Sequence, residues 1–326
     1  MTKGTAAADS RRGTPRAAKR AAAATPTPPR PARAARTHRG PLIAFGRWWW
    51  AAPGVLLVVL IQYAATLAGG FFAFTDYSGV GSFHFTGFDN FVAIAQDPSV
   101  VGVIGNTLIY AVAQMVGTTV LGLLMALGLH RGLKTRAVLR ALIFLPLALS
   151  PLAVSYVWKF IFQYDGLLND VLLAVGLGDL RRTWLGDPDT ALWTVVSVIV
   201  WQGVGLAMVI FLAGLSRVSP EVEEAAALDR ANLWQRFWHV TLPALRPSIV
   251  IVTMLGLIFG LRLFDPILAL TGGGPVSSSK NLALLVYQEA FARGNFGYGA
   301  ALSLVLTVII LFFAVIQQLL TRRRDL

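Results

Sequence analysis

Residues 221–247 read EVEEAAALDRANLWQRFWHVTLPALRP, a charged and amphipathic stretch set between two long apolar runs. Pro220 precedes it, and proline is tolerated in the first turn of a helix because its missing N–H would be unpaired there anyway. Glu221, Glu223 and Glu224 follow, acidic groups that complement the positive end of a helix dipole. The spacing predicts a helix through 220–229, with Glu224 and Leu228 on one face and small Ala225 and Ala226 permitting close approach. A second short helix through 232–240 offers Leu233, Phe237 and Val240 as an apolar stripe. A turn between membrane spans needs only a few polar residues, so this element is expected to be gripped by a partner. The plain alternative is a hairpin lying on the lipid interface, with Trp234 and Trp238 as anchors.

Outward from this island the chain is a membrane protein. Of its 326 residues 56% are hydrophobic and 13% charged, with a mean hydropathy of +0.64; a globular domain runs nearer about a quarter charged. Six apolar stretches lie near 48–75, 101–128, 138–162, 191–215, 248–270 and 299–320. Each has the roughly 20 residues a helix needs to cross a hydrocarbon core of about 30 Å. Continuous rather than alternating apolar runs select helices over a barrel. The expected fold is an all-α integral membrane protein of six transmembrane helices. Trp48, Trp49 and Trp50 at the mouth of the first span suit an interfacial aromatic belt.

Charge placement orients the bundle. The formal net charge is +12, yet 11 of the 28 Lys and Arg residues fall in residues 1–47 and most others flank apolar spans. That is a topology signal rather than a nucleic-acid surface. The tail, the 129–140 and 216–247 loops and the C-terminus carry 22 basic residues, and the three opposite loops carry 4. Both termini and the 216–247 island are therefore expected in the cytoplasm. Residues 1–47, rich in Ala, Pro, Thr and Arg with Asp9 the only acid, are expected to be a disordered basic tail. Residues 48–326 form the transmembrane domain.

The island carries a recognisable pattern. Glu224-Ala225-Ala226, then Arg230, then Val240, Leu242 and Pro243 resemble the E-A-A-x3-G-x9-I-x-L-P loop of permease subunits of binding-protein-dependent ABC importers. The match holds at Glu224, Ala225, Ala226, Leu242 and Pro243 and is conservative at Val240. Asp229 stands where the family usually has Asp. Arg230 departs from the family glycine; if the position needs φ > 0, a side chain there costs roughly 1–2 kcal/mol. The likeness spans about residues 48–326. YDGLLNDVL (164–172), WLGDPDTALW (184–193), VWQGVG (200–205), LTGGGP (270–275) and FGYGAALS (296–303) all resemble the carbohydrate-uptake branch, the maltose and glycerol-3-phosphate type.

This resemblance implies that Glu224, Ala225, Ala226, Asp229, Arg230, Val240, Leu242 and Pro243 form coupling helices that dock into a separate ATPase. It also implies a pair of ABC ATPase subunits, a second homologous permease, an extracytoplasmic solute-binding protein and a prokaryotic cell membrane. The chain has no G-x-x-x-x-G-K-[ST] phosphate loop. Gly272, Gly273 and Gly274 precede Pro275 and read as a flexible turn.

Ionisable residues inside a span mark pathways or internal pairs. Arg262 and Asp265 in the fifth span stand i,i+3 and can form a salt bridge; the functional alternative puts them on a solute path. Asn106, Gln114 and Gln202 add polar groups to apolar helices. Gln202 beside Trp201 suits a sugar, which wants hydrogen-bonding groups next to an apolar ring face. His38, His84, His130 and His239 are scattered, cysteine is absent, and no metal, cofactor or catalytic cluster is expected. The rival reading is a self-sufficient secondary transporter or channel; such carriers use buried carboxylates and broken helices, and only Asp265 qualifies.

Overall fold

The structure, a computed structural model, describes residues 49–130 and 135–322. The basic tail 1–47, Trp48, Arg131, Lys134, Arg323 and Arg324 lie outside the described residues. The chain forms two compact units, 1–57 and 58–326; of the first, residues 49–57 are described, with Trp49 and Trp50 exposed.

Among the described residues the fold is helical, and its only extended pairing is an isolated antiparallel bridge between Thr75 and Phe85. Helix α1 is Ala52–Phe72, with a π turn at Leu60–Ala64. Then come α2 (Asp89–Gln96), α3 (Pro98–His130), α4 (Arg136–Ala148), α5 (Pro151–Ile161), α6 (Leu167–Ala174) and α7 (Pro188–Leu215). The island supplies α8 (Pro220–Leu228) and α9 (Leu233–Ala244); α10 (Arg246–Leu261), α11 (Asp265–Leu270), α12 (Leu282–Ala292) and α13 (Phe296–Arg322) complete the chain. Four helices, α1, α3, α7 and α13, are long and apolar enough to cross a membrane alone. The bent pairs α4/α5 and α9/α10 pass the same test only when each is taken as one span, which would bring the number up to six.

Two expected spans are not single rods. The stretch 138–162 turns by 100° between α4 and α5. Pro146 sits inside α4, and Pro151 opens α5 without an N–H for the carbonyl of Leu147. Leu149 and Ser150 take extended backbone, as a residue before proline prefers. The stretch 248–270 ends its first helix at Leu261 and starts again at Asp265, because Pro266 has no N–H for the carbonyl of Arg262. Hydropathy, an average over side chains, is blind to both breaks.

Small residues bring the helices together. Without a hydrophobic drive between helices in lipid, close backbone packing does much of the holding. Gly256 and Gly260, one turn apart on α10, lie against α3: a Cβ on them would stand 2.8 Å from Met115 Cα and 2.5 Å from Ala111 Cα. Gly122 of α3 meets Ala207 of α7 in the same way, at 2.5 Å. Helix α7 is the hub, with 61% of its apolar span buried, whereas the span of α1 buries none. Side chains of α3, α7 and α10 form the cores around Tyr110, Met208, Phe211 and Leu261.

Candidate functional site

The 216–247 segment folds as a capped helical hairpin. Helix α8 covers Pro220–Leu228, as its spacing implies. Arg230 then takes φ 57°, the left-handed conformation that glycine adopts freely. The N–H of Ala231 returns to the carbonyl of Ala226 at 3.0 Å, which closes the helix end. Asn232 caps the second helix in a reciprocal box. Its side chain accepts from Gln235 N–H at 2.8 Å, and Gln235 Oε1 accepts from Asn232 N–H at 2.9 Å. Arg236 Nε donates to the carbonyl of Ala231 at 3.0 Å, tying α9 to the turn. The N-x-x-Q spacing of Asn232 and Gln235 is the signal that a reading centred on E-A-A overlooks. The second helix also runs past 240 to Ala244, through a π turn at Phe237–Thr241.

Glu224, Ala225, Asp229 and Arg230 are exposed, while Ala226, Val240, Leu242 and Pro243 are half-buried. Leu228 is 85% exposed and Trp234 68%, so both large apolar groups stand uncovered. Trp234, Phe237 and Trp238 pack edge-on or tilted, with ring centroids 5.5–6.2 Å apart. The Ser219 hydroxyl donates to Glu221 and holds its carboxyl below the ordinary 4.5. The root of the hairpin is fixed: Leu245 is fully buried among Phe211, Leu212 and Leu215, and the Cβ that Gly214 lacks would lie 2.8 Å from Leu245 Cδ2.

Within the bundle, α3, α7, α10 and the breaks of the third and fifth spans enclose a cavity of about 340 Å³. Gln114, Gln202, Arg262 and Asp265 line it. Arg262 and Asp265 make no ion pair with each other or with any described residue, contrary to the salt bridge their spacing allows. The reason is the helix break between them, which abolishes i,i+3 geometry. Gln114 is 5% exposed, and among the described residues its Oε1 has no hydrogen-bond partner. Trp201 is not among the lining side chains; its ring meets Trp158 edge-on at 5.2 Å. Gln202 lines the cavity, and its Nε2 donates to the carbonyls of Pro146 and Leu149 at 3.2 and 3.3 Å.

Asn106 stands apart. Its Nδ2 donates to the carbonyls of Ser277, Ser278 and Lys280 at 3.3, 3.0 and 3.0 Å, and it does not line the cavity. With Tyr110 Oη donating to Ser279 O and Asn281 Nδ2 to Leu263 O, it anchors the glycine-rich segment 271–281. That turn is thus pinned by hydrogen bonds rather than loose. Beside it a polar cavity of about 420 Å³ holds Asp97, Lys280 and the buried Glu289, which Arg293 and Asn295 engage. Burial, with Arg293 nearby, pushes the Lys280 ammonium below its ordinary 10.5.

Residues 118–326 match the family described as binding-protein-dependent transport system inner membrane component. The chain belongs to this family. It is 38% identical to the multiple sugar-binding transport system permease protein MsmF of Streptococcus mutans, over 88% of this chain and 99% of that one. It is 31% identical to the probable starch degradation products transport system permease protein AmyD of Thermoanaerobacterium thermosulfurigenes, over 86% and 96%. Its fold is similar to that of a chain in a bacterial ABC transporter involved in import of the acidic polysaccharide alginate. That match has a TM-score of 0.73 at 22% identity, over 85% of this chain and 96% of that one. The chain is a permease subunit of an ATP-driven importer, and nothing in these likenesses favours a self-sufficient carrier.

Proposed function

We propose that this permease passes a sugar or related solute through the cavity of α3, α7 and α10, driven by a separate ATPase that grips the α8–α9 hairpin. The hairpin carries the reading: its tip is capped and exposed, its aromatic face is uncovered, and its root at Leu245 is buried in the bundle. A partner that pulls on such a tip moves the helix that follows. Glu224, Ala225, Asp229 and Arg230 are exposed at or beside the turn with Ala226 half-buried, and Val240, Leu242 and Pro243 belong to the second helix, toward its membrane end. The sugar assignment rests on the named relatives MsmF and AmyD. Gln114, Arg262 and Asp265 supply donors and acceptors to a largely apolar wall, the balance that a hydroxyl-rich solute needs.

The charge bias supports a cytoplasmic location for both termini and the hairpin. The partners are a pair of ABC ATPase subunits, a second homologous permease, an extracytoplasmic solute-binding protein and the lipid bilayer. In this reading ATP is hydrolysed by the partner subunits, in keeping with the lack of a G-x-x-x-x-G-K-[ST] phosphate loop in this sequence. Glu224→Lys tests the coupling role in the reconstituted complex. The variant is expected to insert normally and to lose ATP-driven uptake by at least about tenfold. Uptake at the parental rate would remove the hairpin from the mechanism.

A further inference from the structure

We infer that Trp201 and Gln202 form a bracket that sets the angle of the broken third span, so that Gln202 is a positioning residue of the transport cycle rather than a ligand for solute. Consecutive residues on a helix point about 100° apart, and these two reach different arms of the same break. Gln202 meets the end of α4. The carbonyls of Pro146 and Leu149 lie where the helix stops, and the Leu149 carbonyl would otherwise accept from Ala153 in a continuous helix. Gln202 Nε2 donates to both from α7, 56 and 53 residues away in sequence, and the side chain is only 9% exposed.

Trp201 meets the other arm. Its ring stands edge-on to Trp158 of α5 at 5.2 Å, and Trp158 in turn stacks on Phe162 at 5.2 Å. One turn farther along α7, Gly205 seats α4: a Cβ there would lie 2.6 Å from the carbonyl oxygen of Ile143 and 3.0 Å from Phe144 Cα. Arm α4 is therefore held at its seat and its end, and arm α5 in its last turns, at Trp158. The bend between them forms cavity wall, with Leu147 on one side and Pro151 on the other. Taken with the proposal that this cavity is the solute path, access along that wall changes only as the bracket yields or follows.

The chain has no cysteine, so spin labels attach only where cysteines are introduced. Leu145→Cys on α4 and Tyr156→Cys on α5, both at exposed positions, report the distance across the bend in the complete reconstituted complex. Uptake is followed with radiolabelled maltose, lactose and raffinose. Gln202→Ala and Trp201→Ala are expected to shift or broaden the label distance. They should also lower the maximal uptake rate by about tenfold, with KM changed less than about twofold. Trp201→Phe, which keeps the aromatic edge, should match the parent in both readouts. An unchanged distance in Gln202→Ala, or a raised KM at unchanged distance, overturns the proposal. A shifted distance with parental uptake overturns the transport role of the bracket. Arg262→Ala with parental uptake and KM would instead count against the cavity as the path, whatever the labels show.

Discussion

Arg230 occupies left-handed backbone with a full side chain, and a non-glycine residue there costs about 1–2 kcal/mol. Arg230→Gly should relieve that strain at the hairpin turn, because the closing bond from Ala231 to Ala226 is made by backbone alone. The melting temperature of the purified complex is expected to rise by a few degrees, within the ~2–4 °C per kcal/mol usual for a domain of this size. A fall would show that the guanidinium is needed where it stands. The departure at Arg230 was visible in the sequence, and its positive φ follows from the position it holds in the turn. Asn106 was legible only as a polar residue on an apolar helix. What it holds lies 171 to 174 residues downstream, beyond any local pattern. Gln202 was legible in the same limited way, as a polar residue on an apolar helix; its two carbonyl partners exist only because another span is broken.

Helix by helix, the limits of the apolar runs agree within a few residues for α1, α3, α7 and α13. The breaks were written in Pro146, Pro151 and Pro266, residues that hydropathy counts as ordinary. Contact between α3 and α10 depends on Gly256 and Gly260, whose missing Cβ atoms let two backbones touch. Gly260→Leu pushes a side chain into Ala111 and the Tyr110 carbonyl, and overpacking of a tight contact costs about 1–3 kcal/mol, often more where backbone must move. Folded subunit recovered from membranes in mild detergent should fall sharply, while Gly102→Leu, at a site open to space, should leave it unchanged. Equal recovery of both variants would show that the α3–α10 contact does not limit assembly.

Across the whole molecule, burial is graded from α7, the hub, to α1, whose span buries nothing within the chain. The hairpin is the opposite case, since it is exposed at its tip and rooted at Leu245. Leu245→Ala empties a fully buried site, a change that costs about 2–5 kcal/mol in a core. With the partner subunits present, ATP hydrolysis should continue while sugar uptake falls, so that more ATP is consumed per solute moved. Parallel loss of both activities would mean that the bundle, rather than its linkage to the hairpin, had failed. The 69° corner between α9 and α10 has a mechanical consequence. Under the proposed coupling it would work as a bell crank with Leu245 near its pivot: a tug on one arm swings the other sideways. Gly256, Phe259 and Arg262 ride on that second arm, so a stroke at the hairpin would reach the cavity as a lateral sweep of one wall.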